Sequence, residues 1–152
     1  MTNNQNTECG IGAVANWNDK LWYITYPAHA VNGSDDKLYC LDKNMDVTIH
    51  PNSVGGTHAN RMIHSESNQL SIGLYLIDSK DNVRAISPQA LQGRITATAR
   101  HLTDSENKLY LFTMEEGLYE VDVHSLEFTE LIEDKNKEKR KMEMLPGKHG
   151  KG

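Results

Sequence analysis

Two stretches of this chain are close copies of each other. Residues 57–78 read THANRMIHSESNQLSIGLYLID, and from Thr96 the chain reads TATARHLTDSENKLYLFT. Aligned without a gap, Thr57 falls on Thr96, Arg61 on Arg100, Ile63 on Leu102, Asn68 on Asn107 and Leu70 on Leu109, an offset of 39 residues (96 − 57). A repeat of this length restricts the architecture. Each unit is one supersecondary element that cannot bury its apolar side alone, so neighbouring units must stack to share a core.

The first third of the chain joins the same series. Asn18-Asp19-Lys20-Leu21, Ser67-Asn68-Gln69-Leu70 and Glu106-Asn107-Lys108-Leu109 each close a polar turn on a leucine that opens a run of β-branched and aromatic residues. Such runs suit strands and fit helices poorly. Further along each unit, Leu38-Tyr39-Cys40-Leu41-Asp42, Leu74-Tyr75-Leu76-Ile77-Asp78 and Leu118-Tyr119-Glu120-Val121-Asp122 share Leu-Tyr-x-aliphatic-Asp, followed by a short polar turn and another strand. The expectation for Asp42, Asp78 and Asp122 is structural: an aspartate ending a strand accepts hydrogen bonds from the backbone of the next turn. The tyrosines are expected in packing, with the hydroxyl near an edge. The units run approximately over 11–50, 55–88 and 94–133, with 134–152 as a tail or the start of a further unit, all in one repeat domain over 1–152.

Periods of about 36 to 49 residues between these landmarks, with about four strands in each, make the chain resemble β-propeller proteins assembled from four-stranded blades. The resemblance covers roughly Ile11 to Ile132 and is one of repeat length and strand pattern. The WD dipeptide, the sialidase-type Asp-box and a repeated kelch double glycine are absent, so no enzyme family is carried over. It implies an all-β fold, a partial β-propeller of about three four-stranded antiparallel blades. Propellers close with four to eight blades. Three therefore lead to the expectation of a piece of a longer propeller, or of a chain that closes by self-association.

Composition narrows the partners. With 21 acidic and 16 basic side chains and a net charge of −5, the chain lacks the basic face of a nucleic-acid binder. The densest basic run, Lys135 to Lys141, is interleaved with Glu133, Asp134, Glu138 and Glu143 and reads as a solvated face. The start, MTNNQNTECG, has no basic segment followed by an apolar run, and no apolar stretch approaches the roughly 20 residues of a membrane span, so a cytoplasmic protein without membrane contact is expected. Cys9 and Cys40 are too far apart for a CxxC pair; two lone thiols in a reducing compartment are expected, with a disulfide between them as the alternative.

In a propeller the innermost strands line a central channel, and the loops entering them build the usual ligand face. Taking residues 57–63 and 96–102 as those strands, the candidate site joins His58, Asn60, Arg61 and His64 with Arg100 and His101. Arginine recognises carboxylate or phosphate in bidentate fashion, and histidine exchanges protons near neutral pH. His58 and His64 are the candidate catalytic acid and base. Asn60, Arg61, Arg100 and His101 are the candidate ligand contacts for an anionic small molecule or saccharide. The competing reading of Arg61 and Arg100, which share a repeat position, is that each bonds carbonyls or carboxylates of the neighbouring blade. His58, Asn60 and His64 fall on Ala97, Ala99 and Thr103 in the ungapped alignment, so the repeat supplies no structural reason for them.

No cofactor is expected. A metal reading founders on spacing, because residues six apart on a straight strand sit about 20 Å apart at roughly 3.3 Å per residue; His29, His50 and His149 could join His58 or His64 only through the fold. The leading expectation is a propeller binding or interaction module. The alternative is part of a propeller lyase or hydrolase acting on an anionic saccharide, with Arg61 and Arg100 on the carboxylate. Hydrolysis is the weaker half of that alternative, since glycosidases use two carboxylates and Glu66 is the only acid beside the proposed strand.

Overall fold

The computed structural model describes residues 9–27, 37–51, 53, 58–91 and 93–135. The described chain is all-β, with no helix, and holds twelve strands in three four-stranded antiparallel sheets. The first sheet takes β1 (Cys9–Trp17), β2 (Lys20–Pro27), β3 (Leu38–Leu41) and β4 (Val47–Ile49). The second takes β5 (Arg61–His64), β6 (Gln69–Ile72), β7 (Tyr75–Asp78) and β8 (Val83–Ala85). The third takes β9 (Ile95–Arg100), β10 (Lys108–Thr113), β11 (Leu118–Asp122) and β12 (Phe128–Ile132). In each sheet the strands lie in chain order, as simple up-and-down meanders.

Local chemistry makes these meanders. The first hairpin pairs Trp17 with Lys20 and turns on Asn18 and Asp19, with φ of 53° and 60°. Two successive left-handed residues match the twist of the strands they join, and Asn and Asp tolerate that conformation. The shared aspartates act as expected. Oδ1 of Asp42 accepts the N–H groups of Asn44 and Asp46 at 2.8 and 3.1 Å, Oδ1 of Asp78 those of Lys80 and Asn82 at 2.8 and 3.0 Å, and Oδ1 of Asp122 those of His124 and Ser125 at 2.8 and 2.9 Å. Asn82 and those N–H groups hold the Asp78 carboxyl below the usual range, and the Ser125 and His124 N–H groups do the same for Asp122.

Stacking of the sheets supplies the core. Ala13, Trp22, Ile24 and Leu38 of the first sheet meet Leu70, Ile72, Tyr75 and Ile77 of the second. Leu74, Leu76 and Ile86 on the opposite side of the second sheet meet Ile95, Leu109, Leu111, Tyr119 and Val121 of the third. Every residue of β6 is buried, as the middle layer of a stack demands. Among the described residues the stack is open: the first and third sheets each bury one face and leave the other without a neighbouring sheet.

At the inner edge β5 lies between β1 and β9. A Cβ on Gly12 would stand 2.1 Å from the His58 carbonyl oxygen, so only glycine allows this approach. Ala59 N–H donates to the Ile95 carbonyl at 2.9 Å. These cross-sheet contacts explain why β5 starts at Arg61, later than the alternation from Thr57 suggests: the His58–Asn60 backbone engages its neighbours before the ladder begins. Thr57 lies outside the described residues.

Strand register revises the repeat alignment. Ile63 opposes Leu70, whereas Leu109 is opposed by Arg100. The counterpart of Arg100 is therefore Ile63, and that of Arg61 is Thr98. One step further, His64 opposes Gln69 as Trp17 opposes Lys20, and the corresponding residues of the third sheet, next to the Arg100–Leu109 pair where its ladder ends, are His101 and Lys108. Between the repeated leucine and the residue it opposes lie four residues in the first sheet (Asn16 to Leu21), six in the second (Ile63 to Leu70) and eight in the third (Arg100 to Leu109). Even increments preserve which face each side chain takes, but an ungapped alignment cannot follow them.

Candidate functional site

Four of the six candidate residues, His58, Asn60, His64 and Arg100, bond across the junction between the second and third sheets, and among the described residues the six form no common pocket. His64 is fully buried at the end of β5. Its Nδ1 accepts from Ser67 N–H at 3.3 Å and lies 2.7 Å from Ser67 Oγ, while Nε2 lies 2.7 Å from the Ser105 carbonyl of the third sheet. A carbonyl only accepts and a backbone N–H only donates, so the neutral Nε2–H tautomer fits both partners. Trp17, its counterpart in the first sheet, donates Nε1–H to the Asp78 carbonyl of the second at 3.0 Å. The ring N–H at this position ties each sheet to the next.

Lys20 and Gln69, beginning β2 and β6, repeat the device. Lys20 pairs with Asp81 of the second sheet, and Gln69 donates to the Val123 carbonyl of the third at 3.0 Å. Asn18 adds a second donor to Asp78 O at 2.9 Å, and Arg84 Nη2 adds one to Val123 O at 2.7 Å. Trp17, Lys20, Gln69 and Arg84 were not among the candidates from sequence. Their signal is position: Lys20 and Gln69 immediately precede the repeated leucine, and period-two alternation puts them on the opposite face from it.

The side chains of His58 and Asn60 bond across the second junction. His58 Nδ1 accepts from Ile95 N–H at 3.1 Å, which puts the proton on Nε2. Burial pushes its pKa down to about 4, against a smaller upward pull from Glu115. Asn60 Nδ2 donates to Gly73 O at 3.0 Å and to Thr98 Oγ1 at 2.8 Å. A proton-transfer role would require the His58 ring to meet substrate, and it is 2% exposed.

The two arginines point to different neighbours. Arg100 reaches back to the second sheet, donating to Glu66 Oε1 at 2.8 Å, Ile63 O at 2.8 Å and Ser65 Oγ at 3.2 Å. Arg100 thus bonds the third sheet to the second. Arg61 is exposed, has no hydrogen-bond or ion-pair partner among the described residues, and lines an open groove with Val14, Asn16, Leu21 and Ile63 where β1 meets β5.

His101 lies on the open face of the third sheet. Its Nδ1 accepts from Asp104 N–H at 2.9 Å and Thr103 N–H at 3.2 Å, Nε2 donates to Glu120 Oε2 at 2.8 Å, and the ring stacks on Tyr110 at 4.6 Å. Lys108 Nζ takes the other oxygen of Glu120 at 2.7 Å. Together Lys108, first, and His101 hold the Glu120 carboxyl below the ordinary range.

Among the described residues no group of three or more His, Cys, Asp or Glu side chains is arranged to hold a metal ion, and no helix is long and apolar enough to cross a membrane. His29 and His149 lie outside the described residues. The arrangement defines an all-β protein of stacked, repeated four-stranded sheets. No protein-family model matches the chain, and no curated protein matches it.

Proposed function

We propose that this chain is a β-propeller-like binding and interaction module, whose three sheets are blades and whose ligand contact is the groove that holds Arg61. One observation carries the reading: His58, Asn60, His64 and Arg100, which catalysis would have to use, are spent on joining one sheet to the next. Arg61 is the candidate left free to meet a ligand, on the innermost strand where a propeller presents its ligand face. Its guanidinium suits a carboxylate-bearing small molecule such as a uronic or sialic acid.

The test titrates the chain with glucuronate, sialate and neutral glucose, following binding by calorimetry and product by chromatography. Binding of an acid sugar without turnover, lost in Arg61→Ala at a melting temperature unchanged to within about 0.5 kcal/mol of stability, is the expected result. Turnover of the acid sugar would overturn the non-catalytic reading, and binding unaltered in Arg61→Ala would remove the groove as the site.

A further inference from the structure

We propose that the open face of the third sheet receives the open face of the first sheet of a second copy of this chain, so that two copies close head to tail into a six-bladed ring. The inference rests on reading the sheets as propeller blades. Six lies within the four to eight blades at which such rings close.

The junctions already present form a series with its next member waiting. Trp17 and Lys20 reach the Asp78–Asn82 turn of the second sheet, and His64 and Gln69 reach the Ser105 and Val123 carbonyls of the third. His101 and Lys108 hold the same positions in the third sheet, facing away from the stack, and both are held by Glu120 of their own sheet. The counterpart of the Asp78–Asn82 turn in the first sheet is the Asp42–Asp46 turn, built on the same aspartate and the same left-handed residue, Met45 at φ 67° beside Asp81 at φ 65°. It carries two carboxylates, Asp42 and Asp46, opposite in charge to the Lys108 ammonium and complementary to the His101 N–H.

The surfaces around these groups are apolar in the same way as the filled junctions. Register puts Tyr110, Phe112, Leu118 and Ile132 on the open face of the third sheet. It puts Val14, Leu21, Tyr23, Leu41, Val47 and Ile49 on that of the first. Phe112 is 37% exposed, Val47 49% and Ile49 57%, a cost that a matching apolar face removes. The contact is heterologous, one kind of face against another, and such contacts form a closed ring when the rotation between copies closes.

The experiment measures the mass of the full chain by sedimentation equilibrium across concentrations, then that of Phe112→Asp and Val47→Asp. These substitutions alter only the open faces, outside both buried clusters. The expected result is a species of twice the 17.1 kDa chain mass that does not grow with concentration, lost in each variant alone and regained when the two are mixed. Mixing distinguishes the arrangement because one intact face from each variant restores one of the two junctions. A face-to-face dimer of identical surfaces would give no recovery on mixing and would overturn the proposal, as would mass that climbs without limit. A folded monomer at every concentration would also overturn it while leaving the Arg61 groove, and the reading built on it, standing.

Discussion

The junction between the first and second sheets and that between the second and third solve one problem with different redundancy. In the first, Trp17 Nε1–H and Asn18 Nδ2–H both donate to the Asp78 carbonyl, and Lys20 pairs with Asp81 at the rim. In the second, the Val123 carbonyl likewise takes two donors, Gln69 Nε2–H and Arg84 Nη2–H, but the Ser105 carbonyl takes His64 Nε2–H alone within a part-buried contact, and polar atoms of His58 and Asn60 are buried alongside. Two donors on one acceptor tolerate the loss of either. A single donor does not, because the acceptor it leaves behind is partly withdrawn from water. The His64 contact is therefore the more vulnerable of the two ring contacts, although the apolar cluster of its junction holds more buried residues.

His64→Leu breaks the comparison hardest. It leaves the half-buried Ser105 O and Ser67 N–H without their ring partner, while Ser67 Oγ keeps Gln69; at roughly 1–2 kcal/mol for each group a loss of about 3 kcal/mol is expected in urea unfolding. A loss under about 1 kcal/mol would show that the ring is replaceable.

Acid sharpens the same contrast. His58 sits in the second junction with its pKa lowered to about 4 from 6.5 by burial. Between those values the unfolded chain binds a proton that the folded chain refuses, so stability is fully present above about pH 6.5 and falls as pH drops toward 4, by about 3 kcal/mol at roughly 1.4 kcal/mol per pH unit. His58→Asn keeps an acceptor for Ile95 N–H and removes the titration. The difference in unfolding free energy between pH 7 and pH 4.5 should shrink by about that amount relative to the wild type, and an unchanged difference would assign the acid sensitivity elsewhere.

Trp17→Phe is the mildest probe. It deletes the indole N–H but keeps most of the ring, and Asn18 remains on Asp78 O, so a loss of about 1 kcal/mol is expected from the same unfolding experiment. A loss as large as that of His64→Leu would erase the proposed difference in redundancy.

Much of the scaffold was legible in the residues. Leu-Tyr-x-aliphatic-Asp marked the third strand and its turn in all three sheets because strand alternation and aspartate turn chemistry are local. The site was less legible. Arg61 and Arg100 fall together in an ungapped alignment, yet register places Ile63 at the position of Arg100. His64 looked like a departure from the repeat against Thr103, while its counterpart by strand position is His101. Connections that lengthen by two residues from one sheet to the next, measured between paired positions, shift the first strand relative to the second, and a linear offset carries no trace of that.

By itself the sequence determined the sheet content, the strand order within each unit, the aspartate-held turns and the need for units to stack, since all four follow from period-two patterning and short-range backbone bonds. Only the tertiary structure decided that His58, Asn60, His64 and Arg100 join sheets while Arg61 stays open. The partners in question, Ile95, Thr98, Ser105 and Glu66, lie about 34 to 41 residues away or sit in the neighbouring sheet. Which of two identical side chains meets a neighbour and which meets solvent depends on how the sheets stack, and stacking brings together atoms whose separation along the chain encodes nothing about their distance in space.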